Sequence, residues 1–370
     1  MDLLTAVAVS MLPVSRLKAS EAFKELHRAD PSTTLEQVLE LTGIRSDTVE
    51  GRAVASVALE TASASLARGS ALGFTTVPLW DLRYPALLSC IPDPPPVLWT
   101  RGNLSRTGGP AVAIIGSRAA TPYALQVGRR LAAELAERGI VVVSGLARGV
   151  DSAAHEGCVA ADGVTVAVIG SGLDNIYPPE HEQLADRIAV NGLVISELGP
   201  GAPPLAEHFP LRNRIISGTS LAVVVVEASE KSGSLITAAC ALRQGRDVMA
   251  VPGSVLSGRN RGSHGLLKDG AKVVETADDI LEDMGWQIAA PDRAAGRHIL
   301  PGPLSGDPLL SRMDVGEVYR LDDLVEATGT PASRLLHRLM ELELLGYIEA
   351  PGGGRFVRPA GDRSRLAGAG

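Results

Sequence analysis

The sequence predicts an α/β protein built on a doubly wound, mostly parallel sheet. Between Ala111 and Trp286, short apolar segments alternate with helical stretches, and turns that contain glycine separate them. The segment Leu221–Val226 contains four consecutive valines and no polar residue. A β-branched run without alternation is typical of a strand buried on both faces, so helices are expected on both sides of the sheet.

The individual strands follow from the apolar segments, and the helices from apolar residues spaced three and four apart. The predicted strands are Val112–Ile115, Val141–Val143, Val164–Ile169, Leu193–Ile195, Leu221–Val226, Asp247–Val251 and Lys272–Val274. The helices predicted between them are Tyr123–Arg138, Ser152–Ala161, Leu235–Gln244 and Ala277–Met284. Strands that alternate with helices in this order form parallel sheets through crossover connections.

The region before this sheet divides into a helical part and an irregular part. Residues 1–70 are predicted to form a small helical domain, with helices at Ser15–Ala29, Thr34–Leu41 and Asp47–Ala67. Residues 72–104 are predicted to be irregular, because the run Pro94-Pro95-Pro96 cannot lie inside a helix or a central strand. We therefore assign residues 71–286 to the main domain.

The C-terminal region has the element order of a winged helix. Residues 287–309 are rich in Pro, Gly and Ala and are predicted to be a linker. In residues 310–360, a helix at Leu321–Thr328, a second from Pro331 to Leu345 and two short strands are expected. Residues 310–358 contain six arginines and eight acidic residues, a net charge of −2, which favours a protein-contact or regulatory module over a DNA-reading one.

Composition limits the kinds of partner that the chain can have. The chain of 370 residues has a formal net charge of −7, so any site for a polyanion must be a local basic patch. The three cysteines have no paired spacing, which argues against a disulfide framework or a cysteine-based zinc site. No apolar run approaches the roughly 18 residues of a membrane span, so we expect a soluble, cytoplasmic protein without a membrane partner.

Several turns at strand ends are predicted to form an anion-binding edge of the sheet. They are Gly116-Ser117-Arg118, the loop 144–149 that contains Arg148, Gly170-Ser171-Gly172, and Lys231-Ser232-Gly233-Ser234. Carboxyl ends of parallel strands meet at one edge, and glycine turns that open a helix present free N–H groups to anions. Arg212-Asn213-Arg214 is the expected neighbour, since guanidinium groups suit phosphate geometry. A plainer interpretation also remains open, in which the arginines pair with carboxylates and the serines only cap a helix.

Signatures of catalysis are weak. The P-loop motif is absent, and Asp151 and His155, four residues apart on one predicted helix, lack a third partner for a hydrolase or a metal site. We interpret Asp151 as a helix cap and His155 as a locally bonded side chain. Glu197 and Glu227, which follow two of the strands, are the best carboxylates for acid–base work, or they orient the arginines.

Eight ordered motifs resemble the DNA processing protein A (DprA, or Smf) family. They include VAIIGSRAATPY, VVSGLARGVDSAAH, TVAVIGSGLDNIYPPEH, HFPLRNRIISG and VVEASEKSGSLITAA. The resemblance covers residues 75–285 strongly and the terminal domains loosely. It implies a Rossmann-like domain that binds single-stranded DNA, helps to load the RecA recombinase and acts in natural transformation, with no established catalytic activity.

The resemblance also implies site residues and an assembly. By resemblance, the strand would contact Arg118, Arg212, Arg214 and the turn Ser232-Gly233-Ser234. The residue pattern adds Gly116, Ser117, Arg148, Phe209, Asn213 and Lys231 to the predicted contacts. A homodimer would form near Leu266 and Leu267, and residues 1–70 would be SAM-like. Phe209 and Tyr177 are the aromatic residues nearest the predicted groove, where bases of a single strand need a surface for stacking. No cofactor, metal or catalytic residue is expected.

A second function stays open on the sequence alone. The same basic edge could hold the phosphate of a mononucleotide in a nucleotide-binding or nucleotide-processing enzyme, with Glu227 as the acid–base residue. Titration with oligonucleotides and with free nucleotides separates the two.

Overall fold

The computed structural model describes residues 2–29, 33–284, 309–314, 317–332, 335, 338–339, 342–343, 347–352 and 355–358. The chain divides into two compact units, residues 1–291 and residues 292–370. The finer division of the first unit at residue 70 stays a prediction. Apart from Leu309, the predicted linker 287–309 lies outside the described residues.

The first unit contains a nine-stranded sheet. Its strands are β1 Thr75–Pro78, β2 Val97–Gly102, β3 Ala111–Ile115, β4 Val141–Ser144, β5 Thr165–Val168, β6 Leu193–Ser196, β7 Ala222–Val225, β8 Asp247–Ala250 and β9 Lys272–Val273. Their order across the sheet is β1-β2-β6-β5-β4-β3-β7-β8-β9. Strands β3 to β9 pair in parallel, while β2 adds to β6 in antiparallel fashion and β1 adds to β2. The predicted α/β class and parallel sheet are confirmed.

Helices pack on both faces of the sheet, and four of them precede it in the chain. Their bounds are α1 Leu3–Ser10, α2 Arg16–Ala29, α3 Leu35–Thr42, α4 Val49–Ala71, α5 Ala86–Ser89, α6 Pro122–Glu137, α7 Val150–Ala160, α8 Glu182–Asn191, α9 His208–Gly218, α10 Ser234–Arg243, α11 Arg261–Lys268 and α12 Ala277–Asp283. Val112 and Ile114 of β3 pack with residues of α6, α7 and α12, whereas Ala113 and Ile115 pack with residues of α9 and α10. Alternate residues of one strand therefore face two helical layers, as a doubly wound sheet requires.

The N-terminal helices α1 to α4 share a core with the sheet. Phe23 and Leu39 belong to the same buried cluster as Trp99 of β2 and Val194 of β6. One feature here differs from the sequence prediction. Helix α1 was not expected, and it begins after Asp2, whose side chain accepts a hydrogen bond from the Thr5 amide at 2.8 Å.

The region 72–104 also differs from the prediction, because it contributes two strands to the sheet. The prolines at 94–96 end just before β2, so the rule against proline inside a strand does not apply to Val97–Gly102. Trp99 is fully buried and pairs with Ser196 of β6. The prediction failed because a six-residue strand follows the prolines directly.

The chain order reverses at the centre of the sheet. From β3 the chain proceeds outward through β4, β5 and β6 on one side, and it then returns to place β7, β8 and β9 on the other. The loops after β3 and β7 therefore diverge. A crevice for a ligand is expected at the carboxyl ends of these two strands.

The second unit is small. It contains β10 Val318–Arg320, α13 Leu321–Thr328, β11 Glu349–Gly352 and β12 Arg355–Val357, with β12 between β10 and β11. The positions described between Ala332 and Glu343 are helical, and Leu335, Leu339 and Leu342 join its buried cluster. The expected winged helix is confirmed, with β10 as an additional strand. Within the part of the chain that the structure describes, no helix is long and apolar enough to cross a membrane.

Candidate nucleic-acid interface

A cleft of about 580 Å³ opens at the reversal point of the sheet. The turn after β3 forms one wall, the turn before α10 forms another, and α9 crosses between them. Nine of the twelve predicted strand-contact residues line it: Gly116, Ser117, Arg118, Phe209, Arg212, Asn213, Ser232, Gly233 and Ser234. Three others, Arg148, Arg214 and Lys231, do not line the cleft itself. The sequence therefore predicted where the cleft lies, but three of the residues predicted for it are not part of its lining.

The first wall is the turn Gly116-Ser117-Arg118. A side chain at Gly116 would lie 2.6 Å from a methyl of Val150, so only glycine lets this turn approach α7. The Ser117 amide donates to the Glu227 carbonyl at 2.7 Å, and its carbonyl accepts from the Val150 amide at 3.2 Å. Both bonds are to backbone atoms of neighbouring elements, which fixes the position from which Arg118 extends.

Arg118 is the exposed cation at the mouth of the cleft. Its guanidinium carbon lies 5.5 Å from the centre of the Phe209 ring, within the range of a cation–π contact. Within the described residues it forms no ion pair with a carboxylate. The positive charge is thus oriented by an aromatic ring and left uncompensated.

Two aromatic rings lie together beside Arg118. The centres of the Tyr177 and Phe209 rings are 5.4 Å apart with planes tilted by 57°, and Tyr177 remains 39% exposed. Aromatic faces beside an uncompensated cation are the combination with which proteins hold single-stranded nucleic acid.

The second wall is the turn that opens α10. The hydroxyls of Ser232 and Ser234 lie 2.6 Å apart, and α10 begins directly after Gly233. The N-terminal end of the helix, with its partial positive charge, therefore faces the cleft. Asn213 joins α9 to this wall, since its side-chain amide lies 3.5 Å from the Gly233 carbonyl. Lys231 precedes the turn as an exposed residue.

Arg212 forms the floor of the cleft. The side chain is buried, and Nη2 donates to the Gly145 carbonyl at 2.6 Å. Gly145 is required there, because a side chain would lie 1.9 Å from Nη1 of Arg212. Nε and Nη1 are buried without a hydrogen-bond partner among the described residues. Burial lowers the pKa of Arg212 to about 10, with Asp151 opposing and Arg118 adding to the decrease, so the group stays charged at neutral pH.

Asp151 lies beside Arg212 at the floor of the cleft, and His155 lies beneath it, one turn further along α7. Asp151 accepts from the Gly145 amide at 3.2 Å, and burial raises the pKa of its carboxyl against the opposing effect of Arg212. His155 Nδ1 lies 2.7 Å from Thr165 Oγ1, and that hydroxyl donates to the Val142 carbonyl. Nδ1 therefore donates to Thr165, which fixes the tautomer. Sequence reasoning missed that Asp151 lines the cleft; its position two residues after Gly149 was the available signal.

Neither residue of this pair belongs to a metal site that the structure describes. Among the described residues, no group of three or more His, Cys, Asp or Glu is arranged to hold a metal ion. Burial lowers the pKa of His155 to about 3, with Arg212 and His181 contributing, so this imidazole is neutral.

The position of Arg214 differs from the sequence prediction. Sequence reasoning placed it beside Arg212 at the anion-binding edge, but it lies on a different side of α9 and is 7% exposed. Its guanidinium contacts both carboxylate oxygens of Glu197, at 2.8 and 3.0 Å, and Nε contacts Asp93 at 2.8 Å. Side chains two residues apart on a helix point in different directions, so the two arginines of RNR cannot share one ligand.

Arg148 is at the margin of the cleft and is also paired. Its Nε lies 2.5 Å from Glu180 Oε1, and both side chains are about half exposed. The pair raises the pKa of Arg148, chiefly through its hydrogen bond to Glu180, with a smaller contribution from Tyr177. Arg148 is therefore near the aromatic pair, but its charge is compensated.

The two glutamates considered for acid–base work are engaged elsewhere. Glu227 is 2% exposed and accepts from the Thr121 hydroxyl at 2.6 Å. Glu197 binds Arg214 and lies 3.5 Å from Nε of Arg16. Neither glutamate lines the cleft. Of the two roles considered from the sequence, orientation of an arginine applies to Glu197, which holds Arg214.

Leu266 and Leu267 lie on α11, away from the cleft. Both side chains are partly buried, and Leu266 packs in part against the core beneath the sheet. The helix has eight residues, and the two leucines occupy adjacent positions near its C-terminal end.

Comparison with known proteins places this geometry in a family. Residues 75–285 match the family of the DNA recombination-mediator protein A, and residues 306–354 match the DprA winged helix domain. Protein Smf of Escherichia coli is 40% identical over 74% of this chain and 75% of its own length. DNA processing protein DprA of Bacillus subtilis is 39% identical over 75% of this chain and 95% of its own length.

Solved structures agree. The X-ray structure of DNA processing protein A from Streptococcus pneumoniae is 36% identical, with a TM-score of 0.69 over 76% of this chain and 99% of that one. A structure of the Helicobacter pylori protein, described as giving insights into its unique single-stranded DNA binding mode, is 31% identical, with a TM-score of 0.52 over 57% of this chain and 95% of that one. The chain therefore belongs to the DNA recombination-mediator protein A family, also called DprA or Smf.

Proposed function

We propose that the chain binds single-stranded DNA in the cleft and helps to load a recombinase of the RecA class onto the strand, in natural transformation or recombination. The observation that carries the proposal is Arg118, an exposed guanidinium without a carboxylate partner among the described residues, held over the Phe209 ring at the mouth of the cleft. The Helicobacter pylori relative, which is described as having a single-stranded DNA binding mode, supports the choice of ligand.

The walls of the cleft suit a sugar–phosphate backbone. Arg118 would contact a phosphate from the first wall, and the N-terminal end of α10 would add N–H groups from the second. Lys231 lies outside the lining and would add an exposed positive charge next to that turn. Arg212 adds a buried positive charge from below, where solvent screens it little. None of these groups reads a base, so the binding is expected to depend little on sequence.

The aromatic pair favours a single strand over a duplex. Bases of a single strand can turn outward and stack against the Phe209 and Tyr177 rings, whereas bases of a duplex are already stacked. The overall charge of −7 agrees with a local groove and disfavours a basic surface that would attract duplex DNA at large.

The proposal contains no covalent step. Glu227 accepts a hydrogen bond from Thr121, and Asp151 accepts one from a backbone amide. Glu197 forms an ion pair with Arg214, so each of these three carboxylates already has a structural partner. A protein that delivers a strand needs moderate affinity and a ligand that stays accessible, and the exposure of Arg118 and Tyr177 at the cleft supports the second requirement. We place this activity in the cytoplasm, where a strand and a recombinase would meet.

Titration with a fluorescent oligothymidylate tests the strand site. We expect Arg118→Glu to weaken binding at least about tenfold, because it removes one phosphate contact and adds a like charge. Arg187→Glu, at an exposed position of α8 outside the cleft, is the matched control and should bind like the parent. Equal affinity for all three proteins would remove the cleft from the proposal, and cleavage of the DNA in Mg²⁺ that Arg118→Glu lacks would replace it with an enzyme.

We also propose a homodimer formed near Leu266 and Leu267, as the family resemblance implies. In a two-fold interface the same patch faces itself, so Leu267→Arg places like charges opposite one another. Leu267 is the better position to change, since Leu266 contributes to the core. Light scattering should show a dimer for the parent and for Val190→Arg, an exposed control on α8 at the other end of the sheet, and a monomer for Leu267→Arg. A monomeric parent at micromolar concentration would end the proposal.

A further inference from the structure

An exposed surface next to the cleft has the composition of a second strand-binding segment. We define the flanking patch as Tyr123, Val255, Leu256 and Arg259. The first three are 54%, 79% and 93% exposed, and Arg259 is exposed as well. Exposed apolar side chains that lie together mark interaction sites, and a cation with an aromatic ring is typical of single-strand grooves.

One hydrogen bond joins the flanking patch to the cleft, and a second joins Tyr123 of α6 to the loop that carries the rest of the patch. Arg259 Nη1 donates to the Ala119 carbonyl at 2.7 Å, and the Tyr123 hydroxyl donates to the Pro252 carbonyl at 3.4 Å. Ala119 lines the cleft and directly follows Arg118. The patch therefore begins where the cleft ends, and a ligand that passes over Arg118 reaches it next.

The loop that carries the patch is held in place. Asn260 is 5% exposed, and its side chain fills the space next to Gly253, where an added Cβ would lie 2.3 Å from it. His264 Nε2 lies 3.2 Å from the Gly253 carbonyl, and the Gly262 amide donates to the Ala228 carbonyl at 2.8 Å. The exposed apolar side chains thus sit on a loop anchored at its base.

Charge distinguishes this side of the cleft from the other. Among the described residues, Arg259 bonds to a backbone carbonyl and to no carboxylate, and Arg261 has Glu230 only at 4.0 Å. At the opposite margin, Arg148 is held by Glu180 at 2.5 Å. A polyanion that leaves the cleft therefore meets uncompensated positive charge on the flanking patch and a compensated pair on the other side.

We propose that a single strand leaving the cleft continues across the flanking patch, with a phosphate on Arg259 and bases against Tyr123 and Leu256. This inference rests on the proposed function and adds the path that the strand takes after it leaves the cleft. The strand would pass from Phe209 over Arg118 to the loop between β8 and α11. The ligand is the next segment of the same strand, so the patch matters only for a strand long enough to reach it.

The length dependence of binding tests the inference. Competition titrations would use oligothymidylates of about 4 and about 16 nucleotides, the limits typical of single-strand sites. Arg259→Glu and Tyr123→Ala should weaken binding of the longer strand by about tenfold and leave the shorter one within about twofold. Tyr123→Phe, which keeps the ring and loses the bond to Pro252, should bind the longer strand like the parent. Arg187→Glu serves as the control for charge alone.

The outcomes separate this inference from the proposed function. If the patch variants bind both strands like the parent while Arg118→Glu binds neither, the strand site stands and the extension is wrong. If Arg118→Glu binds like the parent, the proposed function itself fails. If the patch variants bind both strands normally but no longer promote recombinase loading, the patch is a protein-docking surface and the inference is overturned.

Discussion

Helix α9 separates two regions that use arginine for opposite purposes. On one side, Arg212 and Phe209 face the cleft, where Arg118 has no carboxylate partner among the described residues. On the other side, Arg214 faces a cavity of about 520 Å³ beneath the N-terminal helices, where Glu197 and Asp93 neutralise it. The residue type is the same, and the carboxylates around it decide its role. Uncompensated charge is available to a ligand, whereas compensated buried charge holds elements together.

The second region joins three separate parts of the chain. Arg214 belongs to α9, Asp93 to the proline segment before β2, and Glu197 to the end of β6. Arg16, at the start of α2, lies 3.5 Å from Glu197. The ion pairs therefore connect the N-terminal helices, the proline segment and the sheet.

Replacing Arg214 should produce the largest effect on stability. Arg214→Met roughly keeps the volume but removes the arginine that pairs with Asp93 and Glu197, and it leaves Glu197 with Arg16 at 3.5 Å. Breaking a buried pair in this way costs about 3–5 kcal/mol. Urea denaturation should show the loss, and a Glu197→Gln change in the same chain should recover part of it. An unchanged urea midpoint together with lost strand binding would contradict the comparison.

A medium effect is expected from His155, which lies under the positively charged floor. Its pKa of about 3 is below the ordinary 6.5, so the unfolded chain binds a proton between these values that the folded chain does not. Stability should therefore fall as the pH drops below 6.5, by about 1.4 kcal/mol per pH unit for one proton. His155→Asn keeps a donor for Thr165 and should remove this part of the slope, as measured by denaturation at pH 6 and pH 5. A slope that is identical in the variant would show that His155 is not held neutral.

The smallest effect is expected from the exposed ion pair between Arg148 and Glu180. Glu180→Gln frees Arg148 beside Tyr177, and it should tighten strand binding by only about twofold, because exposed ion pairs contribute little. Anisotropy titration at low salt is the measurement, with Glu182→Gln on α8 as the control. Weaker binding in Glu180→Gln would mean that Glu180 has a positive role in the site.

Local patterns predicted the fold because the central strands are buried on both faces. The valine run at β7 differs from the predicted strand by one residue at each end, and α6 is shifted by one residue at each end. Strand β2 could not be predicted, because its identity depends on pairing with β6, nearly a hundred residues away. Such long-range pairing leaves no periodic signal in a six-residue segment.

The site was predicted less completely, and for a physical reason. Glycine turns and a helix start are local features, so Gly116 and the Ser232–Ser234 turn were found. Whether an arginine has a carboxylate partner depends on distant parts of the chain, as with Arg214 and Asp93, separated by 121 residues. The place of Arg259 beside Ala119 could not be predicted for the same reason, since it follows from the sheet order.

The salt dependence of strand binding, compared between Arg118→Glu and Arg214→Met, tests the central claim most directly. The logarithm of the association constant is plotted against the logarithm of the salt concentration, under conditions in which circular dichroism shows each variant to be folded. Arg118→Glu should reduce the slope by the amount that corresponds to about one phosphate contact, and Arg214→Met should keep the slope of the parent. A reduced slope for Arg214→Met with an unchanged slope for Arg118→Glu would contradict the assignment of the cleft to the uncompensated arginine.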